Sequence, residues 1–120
     1  MAKILVLDDV SDAAHLIKRI LSGGGHEVFP FTEETDALQF VKENKVDLAI
    51  LDIKLKRMSG VDVLAEIKKI APSTHAIILT AYPTTETEKE ARRLGASEYC
   101  VKPIDNTELE ETVAKVLGAS

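Results

Sequence analysis

Residues 4–9 read ILVLDD: four aliphatic side chains in a row, then two adjacent aspartates. An apolar run without polar alternation has the pattern of a strand covered on both faces, as in a parallel sheet. Similar runs recur as VFPF at 28–31, LAIL at 48–51, AIIL at 76–79 and EYCV at 98–101. They are short and bounded by turn residues, which marks strands rather than helices. Pro30 cannot donate to a hydrogen-bond ladder, so the second strand is expected at a sheet edge.

Between these runs the apolar period lengthens to that of helices. Ala13, Leu16, Ile17, Ile20 and Leu21 form one stripe, stopped by Gly23-Gly24-Gly25. Ala37, Leu38 and Val41 form a second, and Val61, Leu64, Ile67 and Ala71 a third that ends before Pro72. The last stripe is Leu109, Val113, Val116 and Leu117, opened by Asp105 with Glu108 three residues on, a capping-box-like start. Interval 84–94 differs. Its TTETEKE is polar on every side, with only Ala91 and Leu94 to pack inward. The helix expected there is weakly anchored and starts late or frays at its N-terminal end.

Strict alternation of five strands and five helices implies a parallel sheet with right-handed crossovers. With the second strand at an edge, the economical order is 2-1-3-4-5. The expected fold is therefore α/β, a flavodoxin-like doubly wound (βα)5 arrangement with a five-stranded parallel sheet. One domain is expected over 1–120.

The composition narrows the function. Apolar residues make up 45% and charged residues 29%, enough to fill a core, while Trp is absent and the core must be aliphatic. Fifteen basic against twenty acidic residues give a net charge of −5 with no basic stripe, which speaks against direct nucleic-acid binding. No stretch approaches a membrane span and the N-terminus has no signal-peptide core, so no membrane contact is expected. Cys100, the single cysteine, fits a reducing cytosol as a small buried hydrophobe, and the expected location is cytoplasmic.

In an open α/β sheet, ligands bind beyond the carboxyl ends of the strands, where the strand order reverses. Past the first run stand Asp8 and Asp9, past the third Asp52, past the fourth Thr80, and past the fifth Lys102 followed by Pro103. The first and third strands are expected to be neighbours, which would gather three carboxylates in one cleft. Such a group repels itself unless a cation joins it. Hard oxygen donors without matching Cys or His favour Mg²⁺, with Mn²⁺ the alternative. An ammonium and a hydroxyl facing those carboxylates suit a dianion such as a phosphoryl group.

These features occur in order: the DD pair, LDIKLKRMSG around Asp52, TAY at 80–82 and GASEYCVKP at 95–103. On them the chain resembles the receiver domain of two-component response regulators, over essentially its whole length. The resemblance implies that Asp52 is the nucleophile phosphorylated by a histidine kinase or a histidine phosphotransfer protein. It implies a metal set of Asp8, Asp9, Asp52 and the Lys54 backbone carbonyl. Lys102 and Thr80 would bind the phosphoryl group, with Lys102 positioned by a cis bond to Pro103. Thr80 and Tyr99 would form a switch read by a downstream protein or fused effector domain on the surface of the fourth helix, fifth strand and fifth helix. Lys54 and Tyr82 would tune the phosphoryl lifetime, a bulky Tyr82 slowing hydrolysis.

The family often has proline where Lys56 stands, so the loop after Asp52 is expected to be less rigid. Two other classes fit less well. A haloacid-dehalogenase-type phosphatase needs a second aspartate where Lys54 stands, and an FMN carrier needs a Ser/Thr/Gly-rich phosphate loop in place of DDVSD. The chain is therefore read as a regulated module that is itself phosphorylated and dephosphorylated, not as an enzyme acting on external phosphoesters.

Overall fold

The computed structural model describes residues 2–118. Each apolar run becomes a strand: β1 (Lys3–Leu7), β2 (Glu27–Phe31), β3 (Leu48–Leu51), β4 (His75–Thr80) and β5 (Glu98–Val101). The helices alternate with them as α1 (Ser11–Ser22), α2 (Glu34–Glu43), α3 (Gly60–Ile70), α4 (Thr85–Arg93) and α5 (Asn106–Gly118). All strand pairs are parallel and the order is β2-β1-β3-β4-β5, as the sequence predicts. Pro30 lies on the edge strand, opposite Val6.

Alternation along the buried strands divides the core in two. Leu5, Leu7, Ala49, Leu51, Ala76 and Ile78 meet α2, α3 and α4 through Ala37, Val41, Val63, Leu64, Ile67 and Ala91. Ile4, Val6, Leu48, Ile50, Ile77 and Leu79 meet α1 and α5 through Ala14, Ile17, Leu21, Leu109, Val113 and Val116. With aromatics scarce, Phe29, Phe31 and Phe40 are the ring cluster among the described residues, fastening α2 to the edge strand at centroid separations of 4.7 and 5.3 Å.

Two local expectations are corrected. Leu16 is 49% exposed, because the packed stripe of α1 runs through Ala14, Ile17 and Leu21 and turns Leu16 outward. α4 begins at Thr85, directly after its cap Thr84, so it does not start late. Thr84 Oγ1 accepts from the Thr87 N–H at 3.0 Å, and Thr87 Oγ1 accepts from the Thr84 N–H at 3.3 Å. This reciprocal cap satisfies donors that would otherwise be orphaned, so polar bonds help hold a first turn built of polar residues. At α5, Asp105 caps through Oδ1, which accepts from the Thr107 N–H at 2.8 Å.

Candidate functional site

The register brings the strand ends level. Leu7 pairs with Leu51 on one side and Phe31 on the other, so β1 and β3 finish side by side. The Asp8 N–H donates to Phe31 O at 3.1 Å and the Asp52 N–H to Leu7 O at 3.0 Å, extending the ladder one residue past each strand. Asp8 and Asp52 thus project from adjacent backbones, 2% and 8% exposed, with Asp9 half-buried beside them. Each of the three offers a carboxylate oxygen within 4.8 Å of the others.

One cation stands among them. The Lys102 ammonium donates to Asp8 Oδ2 at 2.6 Å and to Asp52 Oδ2 at 3.0 Å. Burial lowers the Lys102 pKa, but its bonds to the two aspartates raise it by more, and it stays above its ordinary value. The remaining oxygens are partly engaged: the Val10 N–H donates to Asp8 Oδ1 at 2.9 Å and the Lys54 N–H to Asp52 Oδ1 at 3.3 Å. Three carboxylates against one ammonium leave an excess of two negative charges in a sheltered cleft. A divalent ion with a preference for oxygen fits that donor set and that charge.

The backbone delivers Lys102 to this place. Its N–H donates to Thr80 O at 2.8 Å, beyond the β4–β5 pairing, and the Lys102–Pro103 peptide is cis, as the resemblance implies. Thr80 is fully buried, and its Oγ1 accepts from the Tyr82 N–H at 3.1 Å. Tyr99 is half-buried, its hydroxyl 2.8 Å from Thr87 Oγ1 on α4. Tyr82 is 60% exposed, and the Lys54 ammonium lies 4.5 Å from the centroid of its ring. The structure therefore gathers Asp8, Asp9, Asp52 and Lys102 directly, with Thr80 at the end of β4 and Lys54 and Tyr82 in the loops after β3 and β4, whereas Tyr99 lies within β5 and meets Thr87 of α4.

With the strand order and this constellation established, comparison with known proteins is decisive. A family model described as the response regulator receiver domain matches residues 4–114. The chain belongs to this family. Sporulation initiation phosphotransferase F of Bacillus subtilis is 32% identical over 115 residues, which cover 96% of this chain and 93% of that protein. The transcriptional regulatory protein ZraR of Salmonella typhimurium is 37% identical over 96% of this chain, which spans only 26% of ZraR's length. The CheY-like receiver domain of Methanospirillum hungatei superposes with a TM-score of 0.96 at 28% identity, covering 99% of this chain and 95% of that one.

The receiver frame exposes residues that sequence reading missed. Gly60 is the first residue of α3, and its N–H donates to Ile53 O at 2.8 Å. A Cβ there would lie 1.9 Å from Asp52 O, so only glycine lets α3 approach the backbone that carries the carboxylate. Glu34 is 1% exposed, far from the solvated helix face its type predicts. Neither is signalled by its neighbours in the sequence. Cys100 is half-buried, and burial followed by the charges of Glu98 and Glu108 pushes its thiol pKa up, in keeping with an inert side chain.

Proposed function

We propose that this receiver domain, spanning 1–120, accepts a phosphoryl group on Asp52 from a phosphohistidine donor, a histidine kinase or a histidine phosphotransfer protein. The Lys102 ammonium joining Asp8 to Asp52 beside Asp9 carries this reading. It makes a basin that is acidic enough for a divalent cation and already holds the cationic partner a phosphoryl oxygen needs.

In the proposed reaction an Asp52 carboxylate oxygen attacks phosphorus, the phosphorus–nitrogen bond to the donor imidazole breaks, and an acyl phosphate remains on Asp52. Asp8, Asp9, Asp52 and the Lys54 carbonyl would hold Mg²⁺, or Mn²⁺ in its place. Such a cation, when bound, neutralises charge on the transferring group. Lys102, already 3.0 Å from Asp52 Oδ2, passes from that carboxylate to a phosphoryl oxygen. Pro103 keeps its backbone turned toward the cleft.

Thr80 and Tyr99 form the switch. The Thr80 hydroxyl leaves the Tyr82 N–H for the phosphoryl group, and Tyr99 leaves Thr87 to turn inward. The surface of α4, β5 and α5 then changes for a downstream protein or fused effector domain. Lys54 and Tyr82, stacked at the rim, shield the acyl phosphate from water and lengthen its life. The domain acts in the cytoplasm, contacts neither membrane nor nucleic acid, and turns over no external phosphoester.

Incubation with Mg²⁺ and acetyl phosphate followed by intact-mass measurement tests the proposal. The parent is expected to gain the mass of one phosphoryl group and Asp52→Asn none. Equal uptake by both, or none by the parent, refutes it.

A further inference from the structure

We infer that Glu34 is a positioning residue for the phosphoacceptor site: from the start of α2 its buried carboxylate fixes the loop that carries the Lys54 carbonyl. The inference rests on the proposed role of Asp52 and extends it to a residue on another element.

A backbone carbonyl can serve as a ligand only where the chain itself is held. Residues 53–59 lie in neither helix nor strand, and Lys54, Lys56 and Arg57 point to solvent. The apolar anchors of the segment are buried Ile53 and half-buried Leu55 and Met58. No proline restricts the backbone between Ile53 and Ser59. Into this segment reaches Glu34, whose Oε2 accepts from the Arg57 N–H at 2.6 Å and the Met58 N–H at 2.9 Å. Among the described residues it is the one group from another part of the chain that bonds the backbone N–H groups of this loop.

A simpler reading is that Glu34 serves only its own helix, since an acidic residue in the first turn complements the helix dipole. That role needs no burial, because a glutamate at a helix start performs it in water. Glu34 is instead 1% exposed, and its buried Oε1 has no hydrogen-bond partner among the described residues. An ionised group adopts so costly a position only when its remaining bonds compensate. Here those bonds go to the loop. Burial raises its pKa, yet the N–H groups of Glu34, Arg57 and Met58 hold the carboxyl below its ordinary value, in agreement with two short bonds to an ionised oxygen. Its neighbour Glu33 adds a looser strut, Oε2 accepting from the Lys56 ammonium at 2.8 Å near the surface.

The test compares the parent with Glu34→Gln and Glu34→Ala well below their melting temperatures. Glutamine keeps an acceptor oxygen for both N–H groups but loses the charge, whereas alanine loses both. Amide exchange in metal-free protein is expected to quicken at Arg57 and Met58 in Glu34→Ala by about tenfold more than at the β4 amides. Mg²⁺ affinity, read from amide shifts on titration, is expected to fall about tenfold, the scale of outer-shell effects on metal sites. Glu34→Gln should lie between alanine and the parent in both. Should the alanine variant fail to fold, Glu34→Gln carries the same comparison. The inference is overturned if the variants exchange and bind Mg²⁺ like the parent, or if loop and β4 amides quicken equally. A parent that takes no phosphoryl group from acetyl phosphate overturns the phosphoacceptor reading itself. A parent that does, with an indifferent Glu34, overturns this inference alone.

Discussion

Replacing Lys102 by methionine should move stability and metal affinity in opposite directions. The Asp8, Asp9 and Asp52 oxygens lie within 4.8 Å of one another. Like charges at that distance repel by about 3.5 kcal/mol at an effective dielectric constant of about 20. The Lys102 ammonium, at 2.6 Å from Asp8 and 3.0 Å from Asp52, offsets that repulsion with two charge-assisted bonds. Methionine keeps most of the aliphatic stem and removes the charge. Breaking a buried ion pair costs about 3–5 kcal/mol. Because the lysine side chain is 24% exposed, the lower end applies, about 3 kcal/mol, or a fall in melting temperature of roughly 10 °C. Yet the ammonium also competes with a divalent ion for the same oxygens, so Mg²⁺ should bind the variant about tenfold more tightly, worth ~1.4 kcal/mol. Urea unfolding at several Mg²⁺ concentrations reads both quantities, since a ligand that binds only the folded state stabilises it by mass action. The lysine pKa is raised in the fold, so its contribution is complete below the ordinary 10.5 and is lost as pH climbs through the folded value. The alkaline limb of stability should therefore be flatter in the variant. A metal-free variant as stable as the parent, or one with weaker Mg²⁺ binding, would refute the reasoning.

Three further outcomes are expected. Gly60→Ala should cost about 3 kcal/mol in urea unfolding, because its Cβ would meet Asp52 O at 1.9 Å and Ile53 Cα at 2.9 Å, backbone atoms that cannot swing aside. Thr84→Ala should cost about 1 kcal/mol and speed amide exchange in the first turn of α4 while leaving the sheet amides unchanged. The Glu34 carboxyl is held below its ordinary 4.5, so its stabilisation is present above that pH and disappears as acid protonates it. Glu34→Gln should accordingly flatten the acid limb of the stability profile, and an unchanged limb would count against an ionised Glu34 bonding the loop.

The sheet was legible because hydrophobic period needs no knowledge of partners. LAIL and AIIL announce strands covered on both faces, and Pro30 announces an edge. Asp8, Asp52 and Lys102 were legible for a related reason: each immediately follows an apolar run, Asp9 comes next after Asp8, and level strand ends bring them together. What stayed hidden depends on contacts remote in sequence. Glu34 meets Arg57 and Met58 across more than 20 residues, and nothing in FTEETDAL separates a buried glutamate from its solvated neighbours. Gly60 looks like any turn glycine until α3 is laid against the Asp52 carbonyl. Leu16 fits the apolar stripe of α1 equally well whether it faces the sheet or solvent, and only packing against the sheet decides.

The two surprises in the loops share a physical cause. TTETEKE offers α4 no apolar anchor in its first turn, and the loop after Asp52 has lysine where proline would restrict the backbone. In each case a directed polar bond supplies what packing or a ring does not: the Thr84–Thr87 cap in one, the Glu34 carboxylate in the other. Such bonds differ from apolar packing in how they fail. A packed turn loosens gradually as methylenes are removed, whereas a hydrogen-bonded one opens when a single acceptor moves or takes a proton. Thr87 holds the cap and also meets the Tyr99 hydroxyl, so inward rotation of Tyr99 would remove a partner from the first turn of α4. The polar character that makes this helix unpromising in sequence is thus what couples its start to the strand beside it.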